Sequence, residues 1–185
     1  MFDSQERIMT QHRILFVCHG NICRSPLAEG AMRHLIAEED RLDSFLLASA
    51  GVSSEHDGEA PDFRAVKAAK SQGIEIGHLR ARKVTADDFK RFDLLLAMDA
   101  ANRDALLAMA PPSAQRKIHL LLDFSPWIGE TDVPDPYYGP AEGFDDVLDL
   151  IGLAVRGLLE TLDQADGALR VPEMPRARLK VSSAT

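Results

Sequence analysis

The chain has 185 residues, enough for one domain with a full core, with 45% apolar residues, 6% aromatic residues and a formal charge of -8. With no basic stripe to offset that charge, nucleic acid is excluded as the main partner, while an anionic substrate stays open because the field inside a pocket is local. Cys18 and Cys23 lie too close together to frame a fold with disulfides. No apolar run approaches membrane-spanning length, and residues 1–11 lack the apolar stretch of a signal peptide, so a cytoplasmic chain with no membrane partner is expected.

Arg13-Ile14-Leu15-Phe16-Val17 is a mostly apolar run that predicts a buried parallel strand. From Pro26, apolar residues recur at Leu27, Ala31 and Leu35, predicting a helix to about Ile36 with Ser25 at its N-cap and Pro26 at its first position. Phe45 to Gly51 reads as a second strand, followed by the polar loop SSEHDGEAPD and a helix from about Asp62 to Ser71. Phe92 to Met98 and Lys117 to Leu121 read as the third and fourth strands, with a helix from Ala101 to Met109 between them. The loop DVPDPYYGP precedes a last helix, Phe144 to about Leu162, whose Val147, Leu148, Ile151, Val155 and Leu158 mark an apolar face. Residues 1–11 read as a flexible extension. Residues 166–185, with Arg170, Arg176, Arg178 and Lys180, read as a disordered basic tail, or else an arm for an acidic partner. The expected fold over 12–165 is a single α/β domain, a four-stranded parallel sheet flanked by helices on both faces.

Such sheets bind ligands at the C-terminal ends of their strands, and Cys18 falls at the end of the first. In VCHGNICRSPLAE, Gly20 and Asn21 tolerate left-handed backbone angles, so the loop is able to curl its N–H groups inward. A concave nest that runs into a helix N-terminus is an anion site. Arg24 adds a planar fork for two phosphate oxygens, and Ser25 is placed to donate to the sulfur. The same positive field favours thiolate over thiol, so no histidine base is needed. A bare Cys-x5-Arg is a weak signal; the strand before it, Gly-Asn within it and Ser-Pro after it strengthen it. Zinc on Cys18 and Cys23 with His12 or His19 lacks further well-spaced ligands, so no metal is expected. The leaving group of a phosphate ester needs a proton, and Asp135, on a loop stiffened by Pro134 and Pro136, is the candidate acid, although such aspartates also serve as turn formers.

VCHGNICRSPLAE resembles the signature of the low-molecular-weight protein tyrosine phosphatases. SAGVSSEHDGEAPDFRA, DLLLAMDAANRD and DPYYG resemble that family's later blocks in the same order, over roughly His12 to Leu162. The resemblance implies a flavodoxin-like fold of phosphatase type I and no cofactor. It implies hydrolysis of protein phosphotyrosine and aryl phosphates through a phosphocysteine on Cys18, with a tyrosine-phosphorylated protein as partner. It assigns His19, Gly20, Asn21, Ile22, Cys23 and Ser25 to the phosphate loop with Arg24, and Asp135 to the acid and then the base. Tyr137 and Tyr138 resemble paired tyrosines at the pocket rim, which would suit a phenyl ring. Ser49 joins Asn21 in a network holding the loop, and Asp99 matches a supporting position that a helix N-cap would also explain.

Three departures stand out. Glu55 replaces an aromatic residue of the cleft and, if in its wall, favours substrates with basic flanks. His19 replaces an aliphatic residue, and near GIEIGHLRARKVT either His78 or Leu79 holds the place of a supporting histidine. Cys23, otherwise a small buried residue, is expected to capture an oxidised Cys18 as a disulfide. Among rival readings, a thioredoxin-coupled arsenate reductase needs more cysteines, and a protein-arginine phosphatase has threonine at the place of Ile22. A phosphate- or flavin-binding module has no use for a thiol, an arginine and a distant acid together.

Overall fold

The computed structural model describes residues 11–165 and 171–172. Four strands, β1 (His12–Cys18), β2 (Phe45–Gly51), β3 (Leu94–Ala97) and β4 (Ile118–Leu120), form one parallel sheet in the order β2-β1-β3-β4. Helices α1 (Arg24–Glu38), α2 (Phe63–Ser71), α3 (Asp88–Arg91), α4 (Ala100–Met109) and α5 (Gly143–Asp163) cover both faces. Side chains along β1 alternate between two cores: Ile14, Phe16 and Cys18 pack with α1, α2 and α5, while Leu15 and Val17 pack with Phe89 and Leu106 of α3 and α4. A strand buried on both faces reads as an unbroken apolar run, which is how this one was legible.

The chain leaves β1 for β2 on one side and returns to β3 on the other, opening a crevice at the C-terminal ends of β1 and β3. The parallel register sets Cys18 opposite Gly51 and Val17 opposite Ala97, so the loops after β1, β2 and β3 converge there.

Four local expectations change. α1 begins at Arg24 rather than Pro26, so Ser25 is not the N-cap. Cys23 holds that position without a side-chain hydrogen bond, and Pro26 is the third helical residue, where its missing N–H still costs no intrahelical bond. β3 starts at Leu94 because Phe92 closes the four-residue α3, too short to show a period in sequence. The fourth strand ends at Leu120, and Leu121 opens a 3-10 turn to Phe124. Finally, the N-terminal half of α1 is buried on every side, Glu29 included. At Gly30 a Cβ would lie 2.4 Å from Ile76 Cγ2.

The extension and the basic tail lie outside the described residues, apart from Gln11 and residues 171–172. The Gln11 amide donates to the carbonyl oxygens of Asp43 and Phe45 (3.4 and 3.3 Å), and Val171 packs against the first core. Among the described residues, no helix is long and apolar enough to cross a membrane.

Candidate active site

The segment between Cys18 and Arg24 reverses the chain with Asn21 in the left-handed region (φ 57). The carbonyls of Cys18, His19 and Ile22 turn outward and accept from the amides of Val52, Ser53 and Asp62 (3.0, 3.0 and 2.8 Å). Among the described residues the backbone N–H groups of Gly20, Asn21, Ile22 and Cys23 donate to no acceptor, which leaves them, with the uncapped first turn of α1, available to an anion. Gly20 is not left-handed, contrary to the sequence reading; its missing Cβ makes room instead, since one would meet His56 Cδ2 at 2.8 Å. Gly51 is the stricter requirement: a Cβ there would sit 2.6 Å from the His19 carbonyl oxygen and 3.1 Å from the Asn21 nitrogen.

Cys18 Sγ lies at the floor of the hollow, 3.0 Å from Ser25 Oγ. Freed from capping, Ser25 accepts from Asn21 Nδ2 (2.9 Å) and has one proton for two acceptors, the sulfur and the Ala50 carbonyl oxygen at 3.2 Å. Asn21 Oδ1 in turn accepts from the backbone N–H of Arg82 (3.0 Å). Among the described residues neither His78 nor Leu79 makes a side-chain hydrogen bond to this loop. His78 is exposed, and Leu79 packs against the core. Ser49 does not join this network. Its hydroxyl donates to the buried Glu29 Oε2 (2.7 Å), whose other oxygen accepts from Arg33 (2.9 Å).

The Arg24 guanidinium is 3% exposed. Its Nη1 donates to Asp99 Oδ2 (2.6 Å) and to the Val133 carbonyl oxygen (3.1 Å), and its Nη2 to Asp135 Oδ2 (2.9 Å). Asp99 serves both readings at once, because its Oδ1 accepts from the Asn102 N–H (2.7 Å) and caps α4. The loop carrying Asp135 is pinned to the end of β3 by Val133 N–H on the Met98 carbonyl oxygen (2.7 Å). It is pinned to α2 by Arg64, which donates to the Tyr137 carbonyl oxygen (3.0 Å) and lies 4.6 Å over the Phe144 ring. Hydrogen bonds from the Arg64 side chain, the largest influence, hold the Asp62 carboxyl below its ordinary range. Cys23 is buried close by. Desolvation pushes its thiol up, with the negative charge of Asp62 adding to the effect.

A cleft of about 140 Å³ opens above Cys18. Glu55 and His56 form part of its wall together with Tyr137 and Tyr138, and His19 and Ile22 line it near the loop. Glu55 is thus both exposed and in the cleft. Tyr138 is 95% exposed at the rim, edge-on to the half-buried Tyr137 with centroids 4.9 Å apart. His56, overlooked in the sequence, turns over Gly20 with Nδ1 2.9 Å from Glu59 Oε2. The only cue to it was its place beside Glu55.

A family model described as low molecular weight phosphotyrosine protein phosphatase matches residues 13–167. A low molecular weight protein-tyrosine-phosphatase of Streptomyces coelicolor is 38% identical over 161 residues, covering 84% of this chain and 97% of that one. Among solved structures, a protein tyrosine phosphatase from Entamoeba histolytica with Hepes in the active site superposes with a TM-score of 0.80 at 40% identity, over 83% of this chain and 97% of that one. Vibrio vulnificus Wzb, in complex with benzylphosphonate, superposes with a TM-score of 0.70 at 32% identity, over 80% and 97%. With the matched span covering all of the sheet but His12, and all five α-helices, this chain belongs to the low molecular weight phosphotyrosine protein phosphatase family.

Proposed function

We propose that the chain hydrolyses protein phosphotyrosine in two steps on Cys18. The sulfur, as thiolate, attacks phosphorus: an S–P bond forms, the aryl O–P bond breaks, and the leaving oxygen takes the proton of the Asp135 carboxyl. Asp135, now a carboxylate, removes a proton from water. The water oxygen bonds to phosphorus, the S–P bond breaks, and phosphate leaves with the thiolate restored. Ser25 turns its one proton from the Ala50 carbonyl oxygen to the sulfur, since a charged acceptor makes the stronger bond.

The observation that carries this reading is the convergence of three distant pieces of chain on one guanidinium. Asp99 and Val133 hold Nη1 of Arg24, which turns the Nε and Nη2 edge toward the nest for two phosphate oxygens. Without substrate, Nη2 rests on Asp135. An arriving phosphate takes that bond; the released carboxylate, parted from the guanidinium and set beside the negative phosphoryl oxygens, takes up a proton from solvent and carries it to the leaving group. The benzylphosphonate held by the Vibrio vulnificus relative supports an aromatic phosphoryl group above the loop. The isoleucine at 22, 8% exposed in the cleft, supports an aryl rather than a guanidino substrate.

Two variants test the mechanism. Cys18→Ser should abolish turnover of an aryl phosphate without added metal and still bind vanadate. Asp135→Asn should lose roughly 10²–10⁴-fold in the chemical step, more as the phenol becomes more basic. Turnover in Cys18→Ser overturns the covalent step, and a loss in Asp135→Asn independent of the phenol overturns the acid role.

Cytoplasmic residence and redox control belong to the same reading. A Cys18 sulfenic acid formed by peroxide condenses with the neighbouring Cys23 thiol, releasing water and forming a disulfide. Peroxide inactivation should then be reversed by dithiothreitol in the wild type and be irreversible in Cys23→Ser. Absence of the Cys18–Cys23 bond by mass spectrometry after mild peroxide overturns it.

A further inference from the structure

On the far side of the Asp135 loop lies a second and larger cleft, of about 430 Å³, that the chemistry does not use. Pro136, Val147 and Leu150 line it with apolar surface, and Glu130 and Asp146 supply two carboxylates. Neither carboxylate is in an ion pair among the described residues, and no lysine or arginine lines the cleft. Asp146 has another explanation, because acidic residues in the first turn of α5 suit the helix dipole. Glu130 has none of that kind, since it lies outside any helix.

The apolar strip continues beyond the cleft. Leu150, Leu153 and Gly157 share a face of α5, and a Cβ on Gly157 would meet the Trp127 ring at 2.8 Å. Leu153 and Trp127 are 52% and 59% exposed, large for apolar side chains in a run of surface that begins at the active site.

We propose that this groove docks the segment of the substrate protein next to the phosphotyrosine, and takes from it a lysine or arginine side chain. The inference rests on the phosphatase reading above. Two observations select this occupant. Asp135 lines both clefts, so a chain leaving the catalytic pocket over that loop enters the groove directly. An apolar floor under a carboxylate rim also matches a side chain with an aliphatic stem and a cationic tip. Glu55 stands in the wall of the catalytic cleft itself, outside this groove, so the two acidic features act on different positions of the peptide.

The test measures kcat/KM for three phosphotyrosine peptides that differ only in Lys/Arg, Ala or Glu flanks, with a small aryl phosphate as control. The wild type should prefer the basic peptide. The double variant Glu130→Gln, Asp146→Asn should lose about three- to ten-fold on that peptide alone, leaving the aryl phosphate unchanged. The preference should also fade at high salt. An equal loss on all three peptides, or none, overturns the groove. So does sedimentation showing a dimer that Leu150→Lys dissolves, since a second copy would then be the occupant. Failure of the wild type on the aryl phosphate overturns the phosphatase reading instead, and fluorescence binding of the same three peptides to the two proteins then reads the groove alone.

Discussion

A buried guanidinium is costly unless its donors find partners, and Nη1 and Nη2 of Arg24 find two carboxylates and a carbonyl drawn from 75 to 111 residues away, which leaves Nε for the phosphate. Lysine cannot replace it, because an ammonium is a point charge with no fixed fork and leaves Asp99 or Val133 without its partner. Arg24→Lys should therefore lower kcat/KM for aryl phosphates by about 10²–10³-fold. Steady-state kinetics beside vanadate titration checks this, and a lysine variant that keeps most of its activity removes the bidentate role. Asn21 shows the same economy in a smaller residue: it takes the one left-handed position in the loop, donates to Ser25 and accepts from Arg82.

The acid loop is an element without regular structure, and its order comes from elsewhere. Pro134 and Pro136 restrict its backbone, Asp135 accepts from Tyr137 N–H (3.2 Å), and Arg64 clamps it from α2 while bonded to Asp62. Asp62 also donates its amide to the Ile22 carbonyl, so phosphate loop and acid loop are tied through the start of one helix. Arg64→Ala should leave the nest intact and blur the position of Asp135. The expected result is a roughly ten-fold fall in kcat for basic phenols and little change for acidic ones, with vanadate affinity retained. An equal fall for all phenols would indicate a general disturbance of the fold.

Across the whole molecule, stability should decline with acid in two stages. Burial lowers His12 and His119 from 6.5, so the unfolded chain binds protons that the folded one refuses. Their contribution is present above about pH 6.5 and is lost as pH falls through the lowered values. Asp62 and Asp93 are held below 3.8 by hydrogen bonds from Arg64 and Arg13; for Asp88, burial pulls upward but the bonds from Arg82 and Thr85 outweigh it. What these carboxylates contribute is present above about pH 4 and disappears as pH drops through the depressed values. Urea midpoints at pH 7.5, 5.5 and 3.5 should fall at both steps, and a flat line from 7.5 to 5.5 would discount the histidines. The amino-acid sequence by itself determined the succession of strands and helices along the chain, and it singled out the segment from Cys18 to Ser25 and the proline-flanked Asp135 as candidates, because each is written in contiguous residues: apolar runs, a Gly-Asn turn, a fixed spacing. Only the tertiary structure decided that Ser25 serves the sulfur instead of capping a helix, that Ser49 serves Glu29, and that His56 overhangs Gly20. It also brought the Arg82 amide to Asn21 from 61 residues away. A backbone donor has no side-chain signature, and which one arrives depends on how the parallel register of β1 and β2 delivers the loops that follow them.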